Sequence, residues 1–300
     1  MGLRTLEVIA TSVEDAIAAA AGGADRIEVI ADPAVGGLTP PLSLVEDIMD
    51  AVSLDIQVMI RPHARSFVYT EQELSYMAGQ IAAVRSLGRP GIVVGCLTDA
   101  GAVDERGLAF LLSYAQGMDV TFHRALDDSS DLLTAYEAIS RFSAVRRVLT
   151  SGGATVAPDG ADTIAALVRM SENSGHRPSG RGGEAPGYGI PLAGTHGSAG
   201  ASFSTADGKA QRSMSDGKAL PTTSKDKAQP TTSDAELLAA AGAHRWPAVM
   251  AGSGLHAGLL QAFVQATGVR ELHFGTGVRG PVAVDRTKVA EVRRLLDETE

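Results

Sequence analysis

Three hundred residues with 44% hydrophobic content suffice to bury a core of ordinary size, so a folded protein is expected. A formal net charge of -9 and a pI near 5.3 argue against nucleic acid as a partner, because no basic stripe is available to displace counterions from phosphates. No apolar run is long enough to span a bilayer and the N-terminus shows no secretory leader; the single cysteine, Cys96, excludes an intrachain disulfide and fits a reducing cytoplasm.

The chain opens on Leu6-Glu7-Val8-Ile9-Ala10 and repeats the pattern as Ile27-Glu28-Val29-Ile30-Ala31, with a helix-like stretch over 12–22 between them. Each copy sets a carboxylate in an apolar run, where an unpaired charge is costly. The repeat reads as βα construction, with the charge wanted at one end of a parallel sheet. Further apolar runs follow at Ile56–Ile60, Gly91–Gly95, Met118–Phe122 and Arg146–Leu149, rich in Val and Ile as expected of strands buried on both faces. Helix-like segments over 41–52, 70–87, 104–115 and 131–141 alternate with them. Thr11 or Ser12 with Asp15, and Thr70 with Glu73, have the spacing of helix N-caps.

The alternation stops at 172–234, where Gly, Ser, Thr, Pro, Ala, Lys and Asp dominate and only six large apolar residues occur. Short copies appear there, Asp207-Gly208-Lys209-Ala210 returning as Asp216-Gly217-Lys218-Ala219. Such a composition cannot offset its ordering entropy, so 172–234 is expected to be a disordered insertion within one domain spanning 1–300. Strand runs resume at Pro247–Met250 and Arg270–Phe274, with helices over 256–267 and 285–298. Eight strand candidates, alternating with helix candidates in the 237 residues outside the insertion, predict a (β/α)8 TIM-type barrel with a long low-complexity insertion before the seventh strand. An open doubly wound sheet would usually carry a glycine-rich first turn for a dinucleotide, and this one is Ala10-Thr11-Ser12.

In such a barrel the C-terminal strand ends carry function. The polar residues expected there are Glu7, Glu28, Arg61, His123, Arg124, Asp127, Ser151 and His273. Glu7, Glu28, His123 and Asp127 are the candidates for acid–base work, since two neighbouring carboxylates push one acidity towards neutrality unless a cation intervenes. A structural alternative is that Glu28 pairs with Arg26 or Arg61 and merely locks strands together. Arg61, Arg124 and the glycine-rich turns at Ser151-Gly152 and Gly252-Ser253 are candidates for holding an anion, the late turns being a common phosphate site in barrels. Glycine there also serves tight turns with no ligand.

Five motifs are recognisable together: Gly23-Ala24-Asp25-Arg26-Ile27-Glu28, Gly36-Gly37-Leu38-Thr39-Pro40, Met59-Ile60-Arg61-Pro62, Phe122-His123-Arg124-Ala125 and Leu149-Thr150-Ser151-Gly152-Gly153. In order and spacing across 3–170, and more loosely across 247–275, the chain resembles the CutC family of copper homeostasis proteins. The resemblance implies a TIM-type barrel, a cytoplasmic role and copper binding. In that family cysteines often end the first two strands, and Ile9 and Ile30 occupy those places here. The donors left for copper are Cys96, Met59, His123 and His273, of which thiolate and thioether suit Cu(I) best. The expected partner is therefore a copper ion or, on the alternative reading, a small anionic or phosphorylated metabolite processed by acid–base chemistry. No nucleic acid or membrane is expected as a partner, and a homo-oligomer stays open.

Overall fold

The computed structural model describes residues 4–173 and 246–299. Eight strands, β1 (Thr5–Ala10), β2 (Arg26–Val29), β3 (Asp55–Met59), β4 (Gly91–Val94), β5 (Val120–Phe122), β6 (Val145–Thr150), β7 (Ala248–Gly252) and β8 (Glu271–Phe274), close into a barrel in sequence order. Every pairing is parallel, including the closing seam of β8 with β1. The described helices are α1 (Val13–Ala21), α2 (Leu42–Ala51), α3 (Glu71–Ser86), α4 (Glu105–Tyr114), α5 (Leu132–Ser140), α6 (Ala161–Asn173), α7 (Ala257–Thr267) and α8 (Arg286–Asp297). All eight expected strands are present. The TIM-type barrel read from the apolar runs is the fold.

The helix starts form as their sequences dictate. Ser12 accepts a hydrogen bond from the Asp15 amide at 3.2 Å. Thr70 and Glu73 form a reciprocal capping box, with amide bonds of 2.8 and 3.2 Å. The main core lies between the outer face of the barrel and the helices, where Leu6, Val8, Ile27, Val58, Ile92, Val94, Phe122, Val148 and Leu272 are fully buried. Helix α6 runs to Asn173, so Glu172 and Asn173 close a helix, and the rest of the expected insertion lies outside the described residues. Among the described residues no helix is long and apolar enough to cross a membrane.

Inside the barrel, alternate strand residues point inward. The lower, N-terminal half is closed by an ionic network. Arg26 pairs with Glu7 and, at 2.6 Å, with Glu271; Arg147 pairs with Glu271 at 3.1 Å and Asp119 at 2.7 Å. Thr121 accepts from Arg147 at 3.1 Å, and the Gln57 amide donates to Asp119 at 2.9 Å. Arg26 thus pairs with Glu7 rather than with Glu28, which corrects the expected strand lock. Glu7 lies mid-strand, in register with Arg26 and His273, below the strand ends where it was expected.

Candidate functional site

Above the network lies a cavity of about 220 Å³ at the C-terminal end of the barrel. Its apolar wall is Ile9, Ile30, Met59 and Leu149, and its polar wall is Glu28, Arg61, His123, Arg124 and His273. The turns after β7 and β8 add Ser253, Gly254 and Gly275-Thr276-Gly277 to the rim.

His273 joins the cavity to the network beneath. Its Nδ1 lies 2.7 Å from Glu7 Oε1 and its Nε2 lies 3.7 Å from Glu28 Oε2. Burial alone would raise the pKa of Glu7, but Arg26 and His273 together outweigh it and hold Glu7 well below the ordinary carboxylate range. Burial raises Glu28 to about 7; His273 opposes the rise and Glu7 adds to it. For His273, burial lowers the ring's pKa, but Glu28 and Glu7 outweigh burial and raise it above its usual value. Glu28 is 2% exposed, and its Oε1 has no hydrogen-bond partner among the described residues.

Arg61 is 7% exposed on the cavity wall and forms no ion pair among the described residues. Its Nη1 donates to the carbonyls of Val35 and Gly37 at 3.0 and 3.2 Å, while its Nε is buried without a partner. The motif Gly36-Gly37-Leu38-Thr39-Pro40 is the cradle for this residue, since Thr39 also exchanges backbone and side-chain bonds with Arg61. Phe67 lies beneath: the Arg61 guanidinium stands 4.6 Å over its ring, and the His123 ring lies 4.8 Å from it.

His123 Nδ1 accepts from the Ala125 amide at 3.1 Å, which leaves the hydrogen on Nε2, itself buried without a partner among the described residues. Burial and then the neighbouring Arg61 charge lower the ring to about 3, so it is neutral at ordinary pH. Gly95 makes room for it: a Cβ at that position would stand 2.5 Å from His123 Nδ1 and Cε1.

The other expected site residues lie elsewhere. Asp127 turns its carboxylate onto the turn after β6, accepting from the amides of Ser151 and Gly153 at 2.9 and 3.0 Å, from the hydroxyls of Thr150 and Ser151, and from Arg124 Nε at 2.9 Å. The Gly152 amide donates to Thr150 Oγ1 at 2.8 Å. An internal carboxylate thus fills the nest of amides that an external anion would use, and Asp127, Ser151 and Gly152 do not line the cavity. Gly252 lies behind the cavity wall, where a Cβ would meet Leu149 at 2.7 Å. Ser253 reaches the rim with φ +80, its hydroxyl bonded to the Thr155 carbonyl at 3.0 Å. Cys96 is fully buried in the shell between strands and helices, donating to the Asp104 carbonyl at 3.5 Å, and burial pushes its thiol well above the usual value.

Glu7, Glu28 and His273 present ligand atoms within 4.8 Å of one another. Glu7 is already committed to Arg26 and to His273 Nδ1, so the cluster's positive charge is the guanidinium. On the cavity wall the soft donors are one thioether, Met59, and two imidazoles, with no thiolate. This set does not match the thiolate-rich ligation that Cu(I) prefers. Phe67 and the Arg26–Glu271–Arg147 network escaped the sequence reading. Phe67 sits in a loop with no period to betray it, whereas Arg26 and Glu28, like Glu271 and His273, are polar pairs two residues apart on strands and carried a signal.

The family model described as "CutC family" matches residues 4–184. A CutC family protein of Mesorhizobium japonicum is 40% identical over 169 residues, which is 56% of this chain and 65% of that protein, just under two thirds of its length. One from Porphyromonas gingivalis is 40% identical over 189 residues, 62% of this chain and 72% of that protein. A crystal structure from Streptococcus agalactiae, named for a copper homeostasis protein CutC, superposes with a TM-score of 0.64 at 21% identity, covering 92% of this chain and all of that one, and so shares the fold.

Proposed function

The chain belongs to the CutC family, and within that barrel we propose that the mouth binds a small anionic metabolite and moves a proton on it. The observation that carries this reading is Arg61, a guanidinium buried on the cavity wall without a carboxylate partner among the described residues. A buried charge without a counter-charge is costly, and a bound anion removes that cost. Glu28 supplies the acid–base group, buried on the same wall with one oxygen free and its acidity near neutral. His273, held through Nδ1 by Glu7, stands below it with Nε2 3.7 Å from Glu28 Oε2. Arg124 adds positive potential at the rim, although Asp127 shares its charge.

Isothermal titration with pyruvate and with inorganic phosphate tests the anion reading. Arg61→Ala and the charge-conserving Arg61→Lys should weaken binding by tenfold or more, with the alanine variant weaker than the lysine one. Equal affinity in all three proteins would remove Arg61 from the site.

Copper handling in the cytoplasm is the second reading, and Met59 is the observation for it, a thioether on the same wall as His123 and His273. An anaerobic Cu(I) competition titration should then show weak binding that Met59→Leu reduces and Cys96→Ser leaves unchanged. Tight stoichiometric binding lost in Cys96→Ser would instead return copper to the cysteine.

A further inference from the structure

Three side chains on the wall of one small cavity each carry a buried polar atom without a partner among the described residues: an acceptor, Glu28 Oε1, and two donors, His123 Nε2 and Arg61 Nε. Glu28 stands on β2 and His123 follows β5, nearly opposite each other in the eight-strand ring. A molecule spanning the mouth therefore meets a carboxylate on one side and an N–H on the other. Arg61 and His123 share an aromatic neighbour, Phe67, at 4.6 and 4.8 Å, and the Arg61 charge acts on the His123 ring. A carboxylate bonded directly to a carbonyl offers an anion to the guanidinium and an oxygen to the imidazole. A carboxylate base paired with a neutral imidazole donor is also the arrangement that enolising isomerases use.

Resting on the reading of the mouth as a small-anion site, we propose that the anion is a 2-oxo acid and that Glu28 removes a proton from the carbon next to its carbonyl. Arg61 holds the carboxylate and His123 Nε2–H donates to the carbonyl oxygen. The C3–H bond breaks and an O–H bond forms on Glu28. The electron pair of the broken bond makes the C2–C3 double bond, and the carbonyl π pair moves to oxygen, where His123 stabilises the enolate without giving up its hydrogen. Returning the proton to the same carbon restores the ligand, so no oxidant, reductant or second substrate is needed. Ile9, Ile30 and Met59 form the apolar wall of the cavity.

The test is proton loss from pyruvate and 2-oxobutyrate in D2O, followed by ¹H NMR with the full chain, beside titration calorimetry of the same probes. Exchange at C3 should exceed the buffer rate by at least tenfold. Glu28→Gln should return it to the buffer rate while the probe still binds, and His123→Gln should slow it at least fivefold. If Glu28→Gln does not fold, Glu28→Asp, which withdraws the carboxylate, must show the same loss of exchange with binding kept. Arg61-dependent binding with exchange at the buffer rate overturns this inference and leaves the anion site standing. Absence of Arg61-dependent binding overturns both. Exchange that persists in the Glu28 variants overturns Glu28 as the base.

Discussion

Glu7 and Glu28 are the same side chain on neighbouring strands, and the barrel gives them opposite acidities. Glu7 touches a guanidinium and an imidazole; Glu28, one layer higher, has His273 at 3.7 Å as its ion-pair partner among the described residues. Because Glu28 keeps its proton in the folded state to about pH 7, against 4.5 in the unfolded chain, folding grows less favourable as pH rises through that window. Glu28→Gln should therefore stabilise the protein at pH 8, by on the order of 3 kcal/mol, with the gain shrinking below about 1 kcal/mol at pH 5. Urea denaturation of both proteins at the two pH values reads this directly, and a pH-independent difference would contradict it. His123 offers a steric counterpart. Gly95→Ala places a methyl 2.5 Å from an imidazole whose Nδ1 is already fixed by the Ala125 amide, so the ring must move. A loss of about 1–3 kcal/mol is expected, with a shifted His123 ring resonance as the local sign.

At the level of elements, the turns do the positioning. The β2–α2 loop holds Arg61 through two carbonyls and Thr39, and the β6 turn is built around Asp127. Asp127→Ala strips that turn of its acceptor and leaves several donors and Arg124 unmatched, which should cost roughly 3 kcal/mol in a denaturant titration. A change of less than about 0.5 kcal/mol would show that the turn holds itself. These elements also show what the sequence could reveal. Apolar runs marked every strand, most of them rich in Val or Ile, and period-two spacing set Met59 and Arg61 on one face. The same alternation, continued past β4, turns Gly95 inward and Cys96 outward, so the cysteine's place was legible by parity. Asp127's role was not. Apart from Arg124, its carboxylate is engaged by residues 23 to 26 positions away, and nothing local distinguishes a catalytic acid from one that organises a distant turn. Phe67 was hidden for the same reason, since its value lies in its contacts with Arg61 and His123, which only the closed barrel assembles.

For the whole molecule, the ionic network decides which end of the barrel is open. Arg26 and Arg147 stitch β1, β2, β5, β6 and β8 together across the lower interior, so the cavity opens at the C-terminal mouth. Removing one partner from such a network leaves buried charge uncompensated. Arg26→Ala should cost about 3–5 kcal/mol, measured by chemical denaturation, well beyond the loss of a surface pair.

The same closure has a consequence for how the chain is joined. Strands β7 and β8 come after residues 174–245, yet β7 pairs with β6 and β8 with β1. His273, supplied by this later stretch, sits between carboxylates supplied by the earlier one. The barrel is thus two complementary pieces meeting along two seams. Made as separate polypeptides, 1–173 and 246–300 should each be incomplete and insoluble, and co-expressed they should reassociate into one particle. Fragment complementation of this kind would make ligand binding a reporter of reassembly, because neither piece alone owns the site.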